Sequence, residues 1–248
     1  MSPDRIFEKI RNHFDEAGFN LTVKIRPEDY DGTAPGEKSG EFVTAARSII
    51  LTGFAGRGFW EIFNRFLALN PGFRDKHENP IDDYTREVFG KLTLKRDTIA
   101  TVGSRTIFPF GEGALDLDFV RLGILGGVGV PSLLGILLNP VYGTWISLRG
   151  ALVTDMEFDA YDAPIEGFEP CPACEKPCIS TCPAHTVSVN GWDWEACMNH
   201  RLSTDICSGM CASRLACPYG QEHAYTEEQI AHHHKLVLKS VKEYFGKE

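Results

Sequence analysis

Eight cysteines carry the clearest chemistry in this chain of 248 residues. They are Cys171, Cys174, Cys178, Cys182, Cys197, Cys207, Cys211 and Cys217, all within 47 positions, and the first 170 positions contain none. The first run reads Cys171-x2-Cys174-x3-Cys178-x3-Cys182-Pro183. The second reads Cys197, then Cys207-x3-Cys211-x5-Cys217-Pro218. Thiolates are soft ligands, and four per site suit an iron–sulfur cluster or zinc. Eight complete two such sites with none left over. A disulfide scaffold fits less well, because it belongs to small secreted chains that follow a signal peptide. This N-terminus reads MSPDRIFEKI, charged from its fourth residue and without an apolar stretch. Reduced thiols and a cytoplasmic location are therefore expected.

Iron is favoured over zinc on spacing. A ferredoxin run is C-x2-C-x2-C-x3-C-P, with the fourth cysteine serving the other cluster. The first run here carries one inserted residue, and both runs end in Cys-Pro. Zinc sites more often pair two CxxC knuckles across a dozen or more residues. Two [4Fe–4S] clusters are the leading expectation, with zinc as the alternative. Transferring the ferredoxin exchange assigns Cys171, Cys174, Cys178 and Cys217 to one cluster and Cys197, Cys207, Cys211 and Cys182 to the other. Such a module stores and passes single electrons.

The elements that must position these residues mix helices and strands. Pro3 with Ile6, Phe7, Ile10 and Phe14 reads as an amphipathic helix stopped at Gly18. Leu21, Val23 and Ile25 alternate as a strand, and Ser48 to Phe54 is a short β-branched run. Residues 30–40 read as a loop; helices are expected at 59–69, 81–92 and 116–125, and strands at 105–110 and 143–153. The pattern does not alternate cleanly, so α+β is favoured over a doubly wound sheet. Thr226-Glu-Glu-Gln229 is a capping-box signature opening a last helix with Ile230, Val237, Val241 and Tyr244 on one face. Leu122 to Leu148 is uncharged over 27 residues but holds six glycines and two prolines. Those residues break the continuous bonding a lipid-exposed helix needs, so no membrane span is expected.

The order of segments resembles that of epoxyqueuosine reductases. Gly127-Val-Gly129, Asn139-Pro140-Val-Tyr142-Gly143-Thr144-Trp145 and Leu152-Val-Thr154-Asp155 precede the cysteines. Ala46-Arg47-Ser48-Ile49-Ile50, Asp83-Tyr84 and Asp193, four before Cys197, add to the match. The resemblance implies a flavin-reductase or nitroreductase-like α+β domain that binds cobalamin, followed by a ferredoxin-like two-cluster module feeding its cobalt. Reductive dehalogenases and the mammalian cobalamin-processing decyanase look like relatives of the same domain.

The chain departs from that family at several points. GVGVPSLL stands where the family has GLGWIGKN, so Leu133 occupies the lysine position. The family's catalytic acid would fall at Gly113, with Glu112, Asp116 and Asp118 nearby but out of register. No catalytic or cofactor-contacting residue is therefore assigned. The sequence also stops soon after the cysteines, without the family's helical-repeat domain. With 25 basic against 34 acidic residues the formal charge is −9. Nucleic acid is accordingly an unlikely partner.

Smaller signals carry two readings each. Gly123, Gly126, Gly127 and Gly129 form a buried turn or approach a flat cofactor; Pro131 argues against a dinucleotide loop. Asp116 and Asp118 are proton donors or a solvated helix face. Tyr142 and Trp145 line a cofactor pocket or pack in the core. His185 and His200 hydrogen-bond a cluster or occupy loops, and Trp192 and Trp194 pack against the cluster module or relay electrons. His232, His233 and His234 point apart on a helix and are expected at the surface or partly packed.

These readings divide the chain into a cofactor-binding domain at 1–165, an iron–sulfur module at 166–225 and a C-terminal helix at 226–248. The expected function is electron transfer through two clusters to a corrinoid for a reductive, oxidoreductase-type reaction. A flavodoxin or ferredoxin reductase would supply the electrons, and the substrate would be a small molecule. The alternatives are a ferredoxin-like carrier without its own catalytic cofactor and a zinc-stabilised interaction protein.

Overall fold

The computed structural model describes residues 2–33, 39–43, 45–94, 103–113 and 116–244. It is an α+β structure with eight strands among these residues: β1 (Leu21–Ile25), β2 (Ser48–Ala55), β3 (Ser104–Ile107), β4 (Val130–Pro131), β5 (Leu137–Leu138), β6 (Ile146–Thr154), β7 (Val187–Ser188) and β8 (Gly191–Trp192). The chain folds as two units. One comprises Met1–Gly129 with Ser147–Glu166; the other comprises Val130–Ile146 with Gly167–Glu248.

The first unit is built on a sheet of order β1-β2-β6-β3, in which β1 pairs antiparallel with β2 and β3 antiparallel with β6. The run Ser48–Ala55 is buried at every position, as expected for a central strand whose two faces are both covered. The helix Pro3–Glu16 has proline in its first turn and buries Phe7, Ile10 and Phe14, whose spacing of three and four residues makes one stripe. That stripe joins an aromatic core in which Phe54 stacks on Phe59 at 4.0 Å and Phe14 meets Phe89 at 4.8 Å. Arg149 on β6 is buried but paired with Asp82, and it donates to Thr85 Oγ1 at 3.3 Å. A buried guanidinium without such partners would be strongly destabilising.

The second unit begins with the β4–β5 hairpin and a turn in which Asn139 and Gly143 exchange backbone hydrogen bonds at 2.8 and 2.9 Å. Gly126, Gly127, Pro140 and Gly143 of the uncharged stretch thus mark turns, while Gly123 lies in the helix Phe119–Leu125 and Pro131 in β4. No helix among the described residues is long and apolar enough to cross a membrane. The helix Glu227–Tyr244 starts at Thr226, whose Oγ1 accepts from the Gln229 N–H at 3.2 Å. Ile230 is half-buried and its neighbour Gln229 is buried; the side chains of Val237, Val241 and Tyr244 lie outside those described.

Several expectations from the sequence need correction. Residues 30–40 hold the end of a helix, Pro27–Asp31, and the start of another, Ser39–Phe42, while 34–38 lie outside the described residues. The helix expected at 116–125 is Phe119–Leu125, because Asp118 caps it: its carboxylate accepts from the Arg121 N–H at 2.9 Å. β3 ends at Ile107, and the strand expected from 143 begins at Ile146. Residues 130–146, expected with the first domain, fold with the second unit, as does the C-terminal helix.

Candidate metal centre

The cysteines are set by short helices and their caps. Cys171 lies in the helix Pro170–Ala173, and Cys174 follows as its C-cap. The Lys176 N–H donates to Cys174 Sγ at 3.3 Å. Cys178 lies in the helix Pro177–Ser180 and Cys182 just beyond its end. The β7–β8 hairpin leads to Asp193, which caps the helix Trp194–Ser203 by accepting from the Ala196 N–H at 3.0 Å. That cap places Cys197 in the helix's first turn, its N–H bonded to the Asp193 carbonyl at 3.1 Å. Cys211 is the N-cap of the helix Ala212–Leu215, and Cys217 follows that helix.

All eight cysteines are free thiols. The helices Pro177–Ser180 and Ala212–Leu215 pack together, and each separates the cysteine at its start from the Cys-Pro after its end. As a result Cys171, Cys174 and Cys178 share one cavity with Cys217, whereas Cys197, Cys207 and Cys211 share another with Cys182. The thiols sense one another in the same two sets. Burial pushes the Cys178 thiol up, and Cys217, Cys171 and Cys174 push it further. Burial also raises Cys207, followed by Cys211, Cys197 and Cys182, with Arg201 opposing. Among the described residues, no group of three or more His, Cys, Asp or Glu side chains is placed to hold a single metal ion.

Local hydrogen bonds distinguish the thiols further. Burial works to raise Cys182, yet hydrogen bonding, led by that from Thr186, brings it down to about 7. Burial raises Cys217 and Cys211, opposed by hydrogen bonds with the backbones of Tyr219 and Arg214 respectively. Such donors stabilise sulfur in its anionic, ligating form.

The two cavities differ in their remaining walls. The Cys171 cavity is lined by Leu133, Leu134, Leu138, Pro218 and Tyr219, with Lys176 at its side. Leu133, at the family's lysine position, thus forms part of an apolar wall. The Cys182 cavity has Trp192 and Leu134 on its apolar side and His200, Arg201, Arg214 and His234 on the other. Arg201 Nη2 donates to His234 Nδ1 at 3.3 Å and to its carbonyl at 3.1 Å. Burial first, then the charge of Arg201, depress the His234 pKa to about 4, so the imidazole is neutral near pH 7.

The other candidates fall as follows. Trp145 is core: it is 1% exposed, with Tyr225 at 5.3 Å and the Arg214 guanidinium at 4.7 Å. Tyr142 packs at 4.7 Å from His223. The glycine turn follows a helix and precedes a strand, the reverse of a dinucleotide loop, and a side chain at Gly127 would meet the Ala163 carbonyl. Asp118 is the helix cap, and Asp116 lies 3.9 Å from Arg105. Trp192 packs against Gly135, and Trp194 is 47% exposed. His233 and His234 line the Cys182 cavity, a role their neighbours in sequence do not reveal. Arg201 and Arg214 also went unnoticed in the sequence, although each follows a cysteine (Cys197, Cys211) at helical spacing, four and three residues on.

No family model and no curated protein matches the sequence. Solved structures do match in fold. An epoxyqueuosine reductase bound to an epoxyqueuosine-modified tRNA-Tyr stem loop aligns with a TM-score of 0.59 and 13% identity, over 93% of this chain and 69% of that one. A catabolic reductive dehalogenase in complex with 3-bromo-4-hydroxybenzoic acid aligns at 0.53 and 18%, over 90% of this chain and 33% of that one. The C. elegans B12-trafficking protein CblC, a homologue of human MMACHC, aligns at 0.52 and 11%, over 67% of this chain and 76% of its own. The expectation that nucleic acid is an unlikely partner finds no support here, since the first of these structures holds RNA. The chain shares its fold with an epoxyqueuosine reductase and a reductive dehalogenase at 13% and 18% sequence identity.

Proposed function

We propose that the protein is an iron–sulfur redox protein, in which the eight cysteines hold two [4Fe–4S] clusters that deliver electrons for a reductive reaction. The observation that carries this reading is the gathering of all eight free thiols into two sets of four, each around its own cavity. Thiols spread round a cavity suit a polynuclear cluster; a zinc ion would draw them to within about 2.3 Å of one point. When bound, the clusters supply one-electron storage and transfer. The chain's own residues exclude water through Leu133, Leu134 and Trp192, and exchange one Cys-Pro ligand between the sites. In this reading the second unit is the ferredoxin-like module and the first the nitroreductase-like domain.

A corrinoid is the proposed electron acceptor, supported by likeness in fold to a B12-trafficking protein and a reductive dehalogenase. The residues singled out for it in the sequence do not fit that role: the Gly127 turn is filled by Ala163, and Trp145 is core. A flavodoxin or ferredoxin reductase is the proposed donor.

Anaerobic purification with iron and sulfide analysis tests the clusters. Brown protein with about eight irons per chain is expected; colourless protein with two zincs would overturn the reading. Anaerobic titration with cobalamin tests the acceptor. Retention with a changed cobalamin spectrum is expected. Its absence on the order of tens of micromolar would leave a carrier without its own catalytic cofactor.

A further inference from the structure

The two cysteine cavities have unequal charge. Arg201 is buried in the lining of the cavity that Cys182, Cys197, Cys207 and Cys211 share, and Arg214 lines the same cavity. Both side chains are held. Arg201 is bonded to His234, and Arg214 Nη2 donates to the Thr144 carbonyl at 2.6 Å. Their Nε atoms are buried without a hydrogen-bond partner, as is His200 Nε2, and all three residues line this cavity. Cys182 adds a hydrogen bond with Thr186 Oγ1 at 3.5 Å. Among the described residues, the one cation lining the Cys171 cavity is Lys176, whose ammonium is engaged by the carbonyls of Pro172 and Cys174 at 3.4 and 3.0 Å, and no arginine lines it.

We infer that Arg201 and Arg214 make the Cys182–Cys197–Cys207–Cys211 site the higher in reduction potential of the two, so that the first electron entering the module rests there. Reduction adds one negative charge to a cluster and its four thiolates. Fixed cations and hydrogen bonds to sulfur favour the reduced form, and burial of the cations strengthens the effect. The electron comes from a low-potential one-electron donor, and no bond is made or broken. Arg201 and Arg214 are thus positioning residues that order the two sites energetically. This rests on the two-cluster reading above.

The test is an anaerobic potentiometric titration of the full chain, poised with dithionite and followed by electron paramagnetic resonance and visible absorption. Two separate reduction steps are expected. Cys174→Ser should abolish the lower step and leave the upper one in place, which assigns them. Arg201→Met should lower the upper step by at least about tenfold in its equilibrium, about 59 mV for one electron, without moving the lower step. Arg201→Lys should restore much of it by returning the charge. Arg214→Met gives the same reading should Arg201→Met fail to load iron. Steps that coincide, an upper step assigned to the Cys171 site, or a potential indifferent to both arginines would overturn the inference. Wild-type protein lacking about eight irons would instead overturn the reading beneath it.

Discussion

The guanidinium of Arg214 lies 4.7 Å from the ring centroid of Trp145 and donates to the adjacent Thr144 carbonyl at 2.6 Å. The arginine comes from the helix between Cys211 and Cys217, and the tryptophan from a segment about 70 residues earlier. This contact ties residues 130–146 to the cysteine-bearing unit. Trp145→Ala should therefore destabilise that unit by about 3–5 kcal/mol, the usual cost of emptying a buried tryptophan site. Thermal unfolding by circular dichroism measures the loss, and iron retention should fall with it. Wild-type stability in the variant would show that the contact is incidental.

The division of thiols predicts two independent losses of iron. Cys174→Ser should lower the content from about eight to about four per chain, and Cys197→Ser should remove the other four. Each variant should also unfold more easily, because a metal site's binding energy is folding energy. Iron and sulfide analysis after anaerobic purification checks both. Full iron content in either variant would refute the division.

A backbone crossing near the Cys-Pro turn offers a test independent of metal. Gly143 has φ +57°, and a side chain there would collide with the Tyr219 carbonyl; one at Gly220 would collide with Tyr142. Gly143→Ala should cost more than about 1 kcal/mol, since strain and overlap act together. Denaturant titration of matched proteins decides the matter.

Tyr84 gives a pH dependence in the first unit. Its hydroxyl donates to the Ala17 carbonyl at 3.1 Å, and burial pushes its pKa from 10.0 up to about 12. The folded state thus holds this proton more tightly than the unfolded state. The resulting stability is complete below pH 10.0 and is lost as pH rises toward about 12. Tyr84→Phe should cost about 0.5–1.5 kcal/mol near neutrality and flatten that alkaline loss. Melting temperatures across pH 9–12 distinguish the two proteins; parallel curves would contradict the assignment.

Asp193 supplies the last test. Replacing it with Ala removes the side-chain cap of the helix that carries Cys197, at a cost of about 1 kcal/mol. The Cys197 site should lose iron faster to a chelator while the other site is unaffected.

Much of this organisation is local and was legible in the sequence. The eight thiols, their two runs, the capping residue Thr226 and the buried run at Ser48 follow from spacing and periodicity, which act within a few residues. The ferredoxin analogy already divides the thiols into the same two sets, but Cys182 and Cys217 reach the other run's cavity only because the two short helices that precede them pack together. The folded chain also decides that residues 130–146 join the second unit and that His234 meets Arg201, 33 residues away. Contacts of that span depend on how the chain closes on itself, and no local pattern encodes the closure. The sequence therefore determined which thiols are available and in what spacing, and the tertiary structure decided what brings them together and which of the two cavities is lined by arginine.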